Sequence, residues 1–403
     1  MVIGIIGGGA SGMAAALAAA ENRDAVIYLM ERQTRVGRKL LSTGNGRCNL
    51  TNLHAGEGGY HGNSPAFAGY ALAQFPPEAV LQWFEGLGLL TVAEDSGRVY
   101  PYSDQANSVV DVLRFGLEQP NIAVKLGFEV EKVKKTLSGF RLEAKGESVE
   151  CDRLIVACGG LAGTKLGGSM SGYKLLRSLG HSCTKLRPTL VQIKSDWSGC
   201  PSLKGVRTNC RAEILRSGEV TAQSTGQLQF TEYGLSGPVI FEISRDVCQG
   251  GCDWTCRLDF LPEMPEETLR GALERRRETN LPVSELLTGI LHNRLGRVLT
   301  QSAGLSANGM ARDLSDWEID QVLSAVKALE VNLTEPMGMD SAQVTAGGIV
   351  TTEFDEKTME SRLVPGLYAC GEVLDIDGDC GGYNLQWAWS SGRLAGLCAG
   401  GLR

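Results

Sequence analysis

The sequence predicts an α/β protein in which a dinucleotide-binding sheet is interrupted by an inserted β unit and an inserted helical unit. Three observations predict it. A short apolar run, Val2–Ile6, leads into Gly7, Gly9 and Gly12 and then into an alanine-rich segment, Met13–Ala20. From about Pro188 the pattern changes to short β-branched or alternating runs separated by glycines, followed from 263 by apolar residues at helical spacing. Glycine-punctuated strand character returns at Val344–Val350. The expected division is therefore 1–188 with 338–403, then 189–262, then 263–337. A chain of 403 residues has room for two or three such parts.

The first element is justified by its order. Val2–Ile6 is a short buried strand, the three glycines have Gly-x-Gly-x-x-Gly spacing, and a helix follows. In that context the first glycine makes a tight turn, the second admits a pyrophosphate, and the third packs the helix on the sheet. The free N–H groups and positive dipole end of the helix suit a phosphate. A second strand, Ala25–Met30, ends at Glu31, placed for an acidic residue that binds a ribose hydroxyl. Glu31 favours an unphosphorylated ribose, as in FAD or NAD. The loop after it, Val36–Asn52, carries Gly44, Asn45, Gly46 and Asn49 with the basic Arg38, Lys39 and Arg47. That suits a long, doubly phosphorylated cofactor.

Next come a helix over Phe75–Gly88, opened by Pro76 and Pro77, and a strand or turn at Arg98–Pro101. A helix capped by Ser103 or Asp104 runs to Leu117, and strands follow at Ile122–Lys135, Phe140–Lys145 and Leu154–Val156. The last strand ends in Ala157, Cys158, Gly159 and Gly160, small residues that bring backbone close to a ligand at the carboxyl edge of a sheet. In the β insert, strands are expected at Leu190–Ile193, Ala212–Leu215, Gln227–Phe230 and Cys256–Phe260; helical periods then run to Leu329. Arg275, Arg276 and Arg277 sit beside Glu274 and Glu278 and read as a solvated face rather than an anion site. Near the end, Tyr368 and Ala369 lead into Gly371 and Glu372. Gly381 and Gly382 precede a helix from Leu385 to Leu397, whose N-terminus suits the negative charge that develops on a reduced flavin.

Composition narrows the classes. Glycine is 52 of 403 residues, about 13% against a usual level of about 7%. Net charge is −7, which opposes a nucleic-acid binder held by bulk charge. The twelve cysteines are dispersed, unlike a secreted disulfide scaffold, so free thiols and a reducing cytoplasm are expected. Cys248, Cys252 and Cys256 miss the usual Cys-x2-Cys zinc spacing. Asp375, Asp377 and Asp379 miss the EF-hand pattern, with glycine at the fourth position and Gln386 at the twelfth. No metal is expected. The apolar N-terminus lacks a preceding Lys or Arg and is broken by glycines, so it is not read as a signal peptide, and no long apolar run suggests a membrane span.

The chain resembles a family of bacterial FAD-dependent oxidoreductases that includes bile-acid (3-dehydro-bile acid) 4,6-reductases and aminoacetone oxidases. The matching stretches are GIIGGGASG at 4–12, GRKLLSTGNGRCNLTN at 37–52, GRVYP at 97–101, LQFTEYGLSGP at 228–238, VTAGGI at 344–349 and LYACGEVLDIDGDCGGYNLQWAWSSG at 367–392. The resemblance implies a Rossmann-like FAD-binding domain of the glutathione-reductase type, split by a β-barrel-like subdomain and a helical subdomain. It implies non-covalent FAD. Gly7, Gly9, Ala10, Ser11 and Gly12 would take the pyrophosphate, and Glu31 with Arg32 the ribose end. Arg38 and Lys39 would lie on the adenosine and phosphate side, and Val130 would meet the adenine through its backbone. Asn45, Gly46, Arg47, Cys48 and Asn49 would lie nearer the flavin. Ala157, Cys158 and Gly159, then Gly371 and Glu372, would line the cofactor, and Gly382, Tyr383, Asn384, Leu385 and Gln386 would face the isoalloxazine. The stretch Ala157–Gly160 departs from the family, in which Thr commonly precedes the two glycines, and Leu161–Gly168 lacks the usual proline.

The expected activity is reduction of a conjugated C=C bond of a steroid- or bile-acid-like enone, with NAD(P)H as transient donor. Such a step needs an oxyanion stabiliser and a proton donor. Tyr100, Tyr233 and Tyr383 are the candidates. One alternative is an oxidase of a small amine such as aminoacetone, with oxygen as acceptor. A second is a flavin-bearing RNA-binding protein. The expected partner is a small-molecule substrate, held between the FAD domain and the insert, with no nucleic acid and no membrane. Cys48, with no second cysteine nearby in sequence, reads as a small packing residue rather than half of a redox pair.

Overall fold

Val2–Ile6 forms the central strand of a five-stranded parallel sheet in the computed structural model, which describes all of residues 1–403. The sheet order is Leu367–Ala369, Arg153–Val156, Val2–Ile6, Val26–Glu31 and Ile122–Leu126. Ile5 is in register with Leu29 on one side and Ile155 on the other. Parallel strands covered on both faces need continuous apolar runs, and Ile3, Ile5, Ile27, Leu29, Leu154 and Ile155 are all fully buried.

The first helix, Ala10–Ala19, is buried from Ser11 to Ala19. Its covering partner is the last helix, Tyr383–Ala399. The two approach through small residues: a Cβ on Gly392 would lie 2.3 Å from the Ser11 carbonyl oxygen. Trp389 of the last helix fills the space between this pair and the helix Pro77–Gly86, meeting the Phe84 ring edge-on at 5.3 Å. Together these residues belong to one core within Met1–Arg187 and Gln343–Arg403, the first of two units in the chain.

The second unit, Pro188–Ala342, is built on a closed six-stranded barrel. Its strands, in barrel order, are Ile193–Ser195, Gly234–Ser236, Glu219–Phe230, Arg207–Arg216, Trp254–Asp259 and Leu329–Pro336. Closure pairs every strand on both sides and leaves no edge open to other chains. The helices Glu266–Arg277, Asn293–Ser302 and Asp316–Lys327 pack in the same core as the barrel interior. The last of them starts with a capping box, in which Ser315 and Glu318 satisfy each other's backbone N–H.

Several elements differ from expectation for local reasons. The first helix starts at Ala10 rather than Met13, so Gly9 is its N-cap. Neither Ser103 nor Asp104 caps the helix Ala106–Gly116: its N-cap is Gln105, Ser103 bonds Ser108, and Asp104 pairs with Arg47. The run Ile122–Lys135 is two strands, Ile122–Leu126 and Lys132–Lys135. Leu190 has φ of +50° and lies outside the strand that begins at Ile193. The stretch expected as β contains the helix Pro238–Cys248, and the stretch expected as helical ends in Leu329–Pro336, the strand that closes the barrel.

Candidate functional site

The glycine turn sits at the carboxyl end of the central strand. Gly12 cannot carry a side chain, because its Cβ would lie 1.8 Å from the Gly7 carbonyl oxygen. Gly7 has φ of +109°, and its own Cβ would strike the Ala157 carbonyl at 2.4 Å. Ala157 therefore closes the turn from the neighbouring strand. A Cβ on Gly9 meets nothing within 4 Å. The helix N-terminus behind it has no side-chain cap, which leaves its N–H groups for an anion. Glu31 is aimed at this turn: its Oε2 accepts from Gly8 N–H at 2.7 Å and its Oε1 from Gln33 N–H at 2.7 Å. Each oxygen keeps a second lone pair for a ligand hydroxyl.

Lys39 and Glu372 are 333 residues apart and form an ion pair at 2.8 Å. The other Glu372 oxygen accepts from Thr345 N–H at 2.9 Å, and the Thr345 hydroxyl accepts from Leu161 and Ala162 N–H, both at 2.9 Å. This network ties the basic loop, the segment after Gly160 and the end of the last sheet strand together. Gly371 has its N–H on Ser391 Oγ at 3.0 Å, beside Ser11. Arg38 bonds Gln33, whereas Arg32 bonds the Gly167 carbonyl and faces Glu129.

The loop 44–49 is unusual in its backbone. Gly44, Asn45, Gly46 and Cys48 all have positive φ. Cys48 is fully buried, and burial pushes its thiol up to about 12. Asn49 is buried, and its Oδ1 has no partner within the protein. An orphaned buried acceptor is costly unless a ligand donor meets it. Arg47 lies 3.8 Å over the Tyr100 ring and is held there by Asp104 and Glu94. Burial raises the Tyr100 phenol, Glu94 raises it further, and the two nearby arginines oppose.

The loop 377–383 is packed against this region. Gly382 has φ of +109° and would place a Cβ 2.3 Å from the Thr51 carbonyl carbon. Gly381 accepts from Asn52 Nδ2 at 3.1 Å. Two residues expected at the isoalloxazine also bond within the protein. Asn384 is spent on Gly378, donating to its carbonyl at 2.7 Å and accepting from its N–H at 2.8 Å. Gln386 is fully buried; its amide donates to Phe75 O and Ser390 Oγ and accepts from Thr51. Leu385 packs against the core and Tyr383 against Tyr60. His61, which the sequence did not single out, lies 2.7 Å from Asp379 in this loop.

The remaining candidates have surroundings of their own. Val130 is a core residue beside the strand pair that follows Phe128. Cys158 contacts the Ile6 carbonyl, and burial raises its thiol to about 12, so it is an unreactive wall; Gly159 next to it has φ of +69°. Tyr233 belongs to the Pro188–Ala342 unit and gives its hydroxyl to Gln192. Arg276 donates to the Thr288 carbonyl at 2.7 Å and Arg277 pairs with Asp316, so both are structural. Cys256 is buried among the barrel strands while Cys252 is exposed.

These groups fit FAD. The open glycine turn and uncapped helix suit a diphosphate, Glu31 a ribose, and the orphaned Asn49 oxygen a ring N–H. No helix of the chain is long and apolar enough to cross a membrane.

Comparison with known proteins agrees. The HI0933-like protein Rossmann domain family matches residues 1–398. A 3-dehydro-bile acid delta(4,6)-reductase of Clostridium scindens is 41% identical over 403 residues, which cover 98% of each chain. A ribosomal RNA dihydrouridine synthase of Escherichia coli is 34% identical over 392 residues, 96% of this chain and 95% of that one. Among solved structures, a 3-ketosteroid delta1-dehydrogenase from Sterolibacterium denitrificans shares the fold, with a TM-score of 0.51 and 11% identity over 100% of this chain and 99% of that one.

Proposed function

Because the chain belongs to the HI0933-like Rossmann family and is an FAD-dependent oxidoreductase, we propose that it reduces a C=C bond conjugated to a carbonyl in a steroid- or bile-acid-like enone, with NAD(P)H as donor. The observation that carries this is the full-length likeness to a bile-acid delta(4,6)-reductase. The second relative's name points to the same bond change, since dihydrouridine is uridine with the double bond beside its carbonyl saturated.

FAD, when bound, supplies the two-electron chemistry. The chain's own residues do the rest. The glycine turn and the helix start bind the diphosphate, Glu31 orients the ribose, and Lys39, paired with Glu372, holds the basic loop against the end of the last sheet strand. The buried Tyr100 phenol stays protonated at neutral pH and is the donor for a developing enolate oxygen, with Arg47 stacked over it. Tyr383 is the second candidate. Tyr233 is the weaker one, its hydroxyl being already committed to Gln192.

A small substrate is favoured over RNA by charge. Residues 188–342 carry 15 Lys and Arg against 21 Asp and Glu, a net of −6, which repels a phosphate backbone. All twelve cysteines are unpaired, which supports a reducing, cytoplasmic location.

The test is an anaerobic visible spectrum of the purified, FAD-loaded protein. NADH or NADPH should bleach the flavin band, and a 3-oxo bile-acid enone should restore it. If nicotinamides leave the flavin oxidised while aminoacetone bleaches it and oxygen restores it, the protein is an amine oxidase. If only a ribosomal RNA fragment restores the band, with salt-sensitive affinity, it is an RNA reductase.

A further inference from the structure

The segment 59–63 is stitched along the loop 375–379. Asp379 N–H donates to the Gly59 carbonyl at 2.9 Å. Tyr60 and His61 pair antiparallel with Gly378 and Asp377. Asn63 N–H donates to Asp375 Oδ2 at 3.3 Å. The His61 backbone is thereby fixed, and its Nε2 lies 2.7 Å from Asp379 Oδ1. The imidazole is 35% exposed, so solvent can recharge it. Its Nδ1 makes no hydrogen bond within the protein. The Tyr60 and Tyr383 rings meet edge to face beside it at 5.8 Å, and the Tyr60 hydroxyl donates to the Tyr383 carbonyl at 3.3 Å. A Cβ on Gly59 would touch both Asp379 and the Tyr383 ring, so a larger residue there would part the segment from the loop. Three residues beyond Asp379 the loop reaches Gly382 and the start of the last helix.

We infer that His61 is the proton donor that completes the reduction, with Asp379 as its positioning residue. This rests on the enone reduction proposed above. A carboxylate on one ring nitrogen fixes the orientation of the imidazole and leaves the other nitrogen to face a substrate. The step balances as follows. FAD, bound and reduced, would supply a hydride to the enone β-carbon and lose two electrons, which would leave the substrate as an enolate. The His61 Nδ1–H bond then breaks and a C–H bond forms at the α-carbon. His61 is left neutral, with its Nε2–H on Asp379, and regains a proton from water. The tyrosine hydroxyl that stabilises the enolate oxygen and the imidazole that protonates carbon are thus separate groups.

The experiment uses the full chain loaded with FAD and reduced by dithionite. It is mixed anaerobically with cyclohexenone or a 3-oxo bile-acid enone, and the return of the flavin band is followed. His61→Ala should slow that return roughly 100-fold, and added imidazole should restore much of it. Asp379→Asn should slow it roughly 10-fold with little change in half-saturating enone. FAD affinity, read by quenching of flavin fluorescence on titration into the apoprotein, should match wild type in both variants. A wild-type rate in His61→Ala overturns the assignment. So does a slow variant that imidazole does not restore, or one whose FAD affinity falls in step with its rate, since each marks a structural role. If the wild-type protein itself restores no flavin with any enone, the proposed reaction fails first, and the donor assignment falls with it.

Discussion

A single methyl group separates a working cofactor turn from a blocked one at Gly12. Its Cβ would stand 1.8 Å from the Gly7 carbonyl oxygen, which is backbone and cannot swing aside, with the Ala157 methyl 3.3 Å away. Gly12→Ala should lower the melting temperature of the apoprotein by an overpacking cost of about 1–3 kcal/mol and abolish FAD retention on desalting. Cys48 is the opposite case. It is fully buried and its thiol is pushed up to about 12, so it is neither nucleophile nor redox partner near neutral pH. Cys48→Ala should keep turnover and cost about 1 kcal/mol of stability, read by urea denaturation. Sequence spacing placed Glu31 at the ribose end because that distance is fixed by the helix between two strands. The resemblance placed Asn384 and Gln386 at the isoalloxazine; the bonds their side chains make, to Gly378, Phe75 and Thr51, include partners far along the chain that no local pattern reveals. His61 was invisible for the same reason: its partner lies 318 residues away and its strand is two residues long.

Elements are held together by a few buried polar joints. Gln386 ties the last helix to Phe75, at the junction of two helices, and to Thr51. Gln386→Leu leaves these groups unpaired in the interior and should cost about 1–3 kcal/mol, measured as a shift in the urea midpoint. A second joint links the end of the helix Ser171–Ser178 to the segment 353–361. The His181 imidazole there is enclosed, stacked 4.5 Å from the Phe354 ring, and bonded to Glu353 and Ser361. Burial lowers the His181 pKa against the pull of Glu353. Burial would raise the Glu353 carboxyl, but Ser182 N–H and His181 hold it below its usual range. Below about pH 6.5 the unfolded chain therefore takes up a proton at His181 that the folded chain resists, and stability falls. Glu353 adds a further loss as pH drops through about 4, where the unfolded carboxylate protonates first. Urea midpoints should decline from pH 7.5 to 5.5, and His181→Phe should flatten that decline while lowering stability overall. Long periodic helices were legible from sequence, since their apolar spacing survives any tertiary setting. The strand Leu329–Pro336 was not. Its alternation of Val331 and Leu333 is only two residues deep and abuts a helical period ending at Leu329. The helix Pro238–Cys248 was hidden by the glycines that precede it, which suit a β turn equally well.

At the scale of the whole molecule there are two hydrophobic cores with no residue in common, one in Met1–Arg187 with Gln343–Arg403 and one in Pro188–Ala342. The glycine turn, Glu31, Lys39 and the loop 44–49, proposed to hold the cofactor, all lie in the first of these units. FAD at about 100 times its dissociation constant should stabilise that unit by about 2.7 kcal/mol. Calorimetry should then show one transition moving upward and a second staying in place; a single transition moving as one would show that the units unfold together. The overall α/β class was legible because it depends on the glycine turn and on a change of periodicity, both local signals. The barrel's closure was not, since the residues that complete it, Leu329–Pro336 against Ile193–Ser195, lie more than a hundred positions apart. The close approach of Gly392 to Ser11 carries a consequence for biosynthesis. On the ribosome the helix Ala10–Ala19 emerges long before the helix Tyr383–Ala399 that shields it. Until then the nascent glycine turn stands with its back uncovered, so chaperone capture should weaken only once residues near 399 have left the exit tunnel.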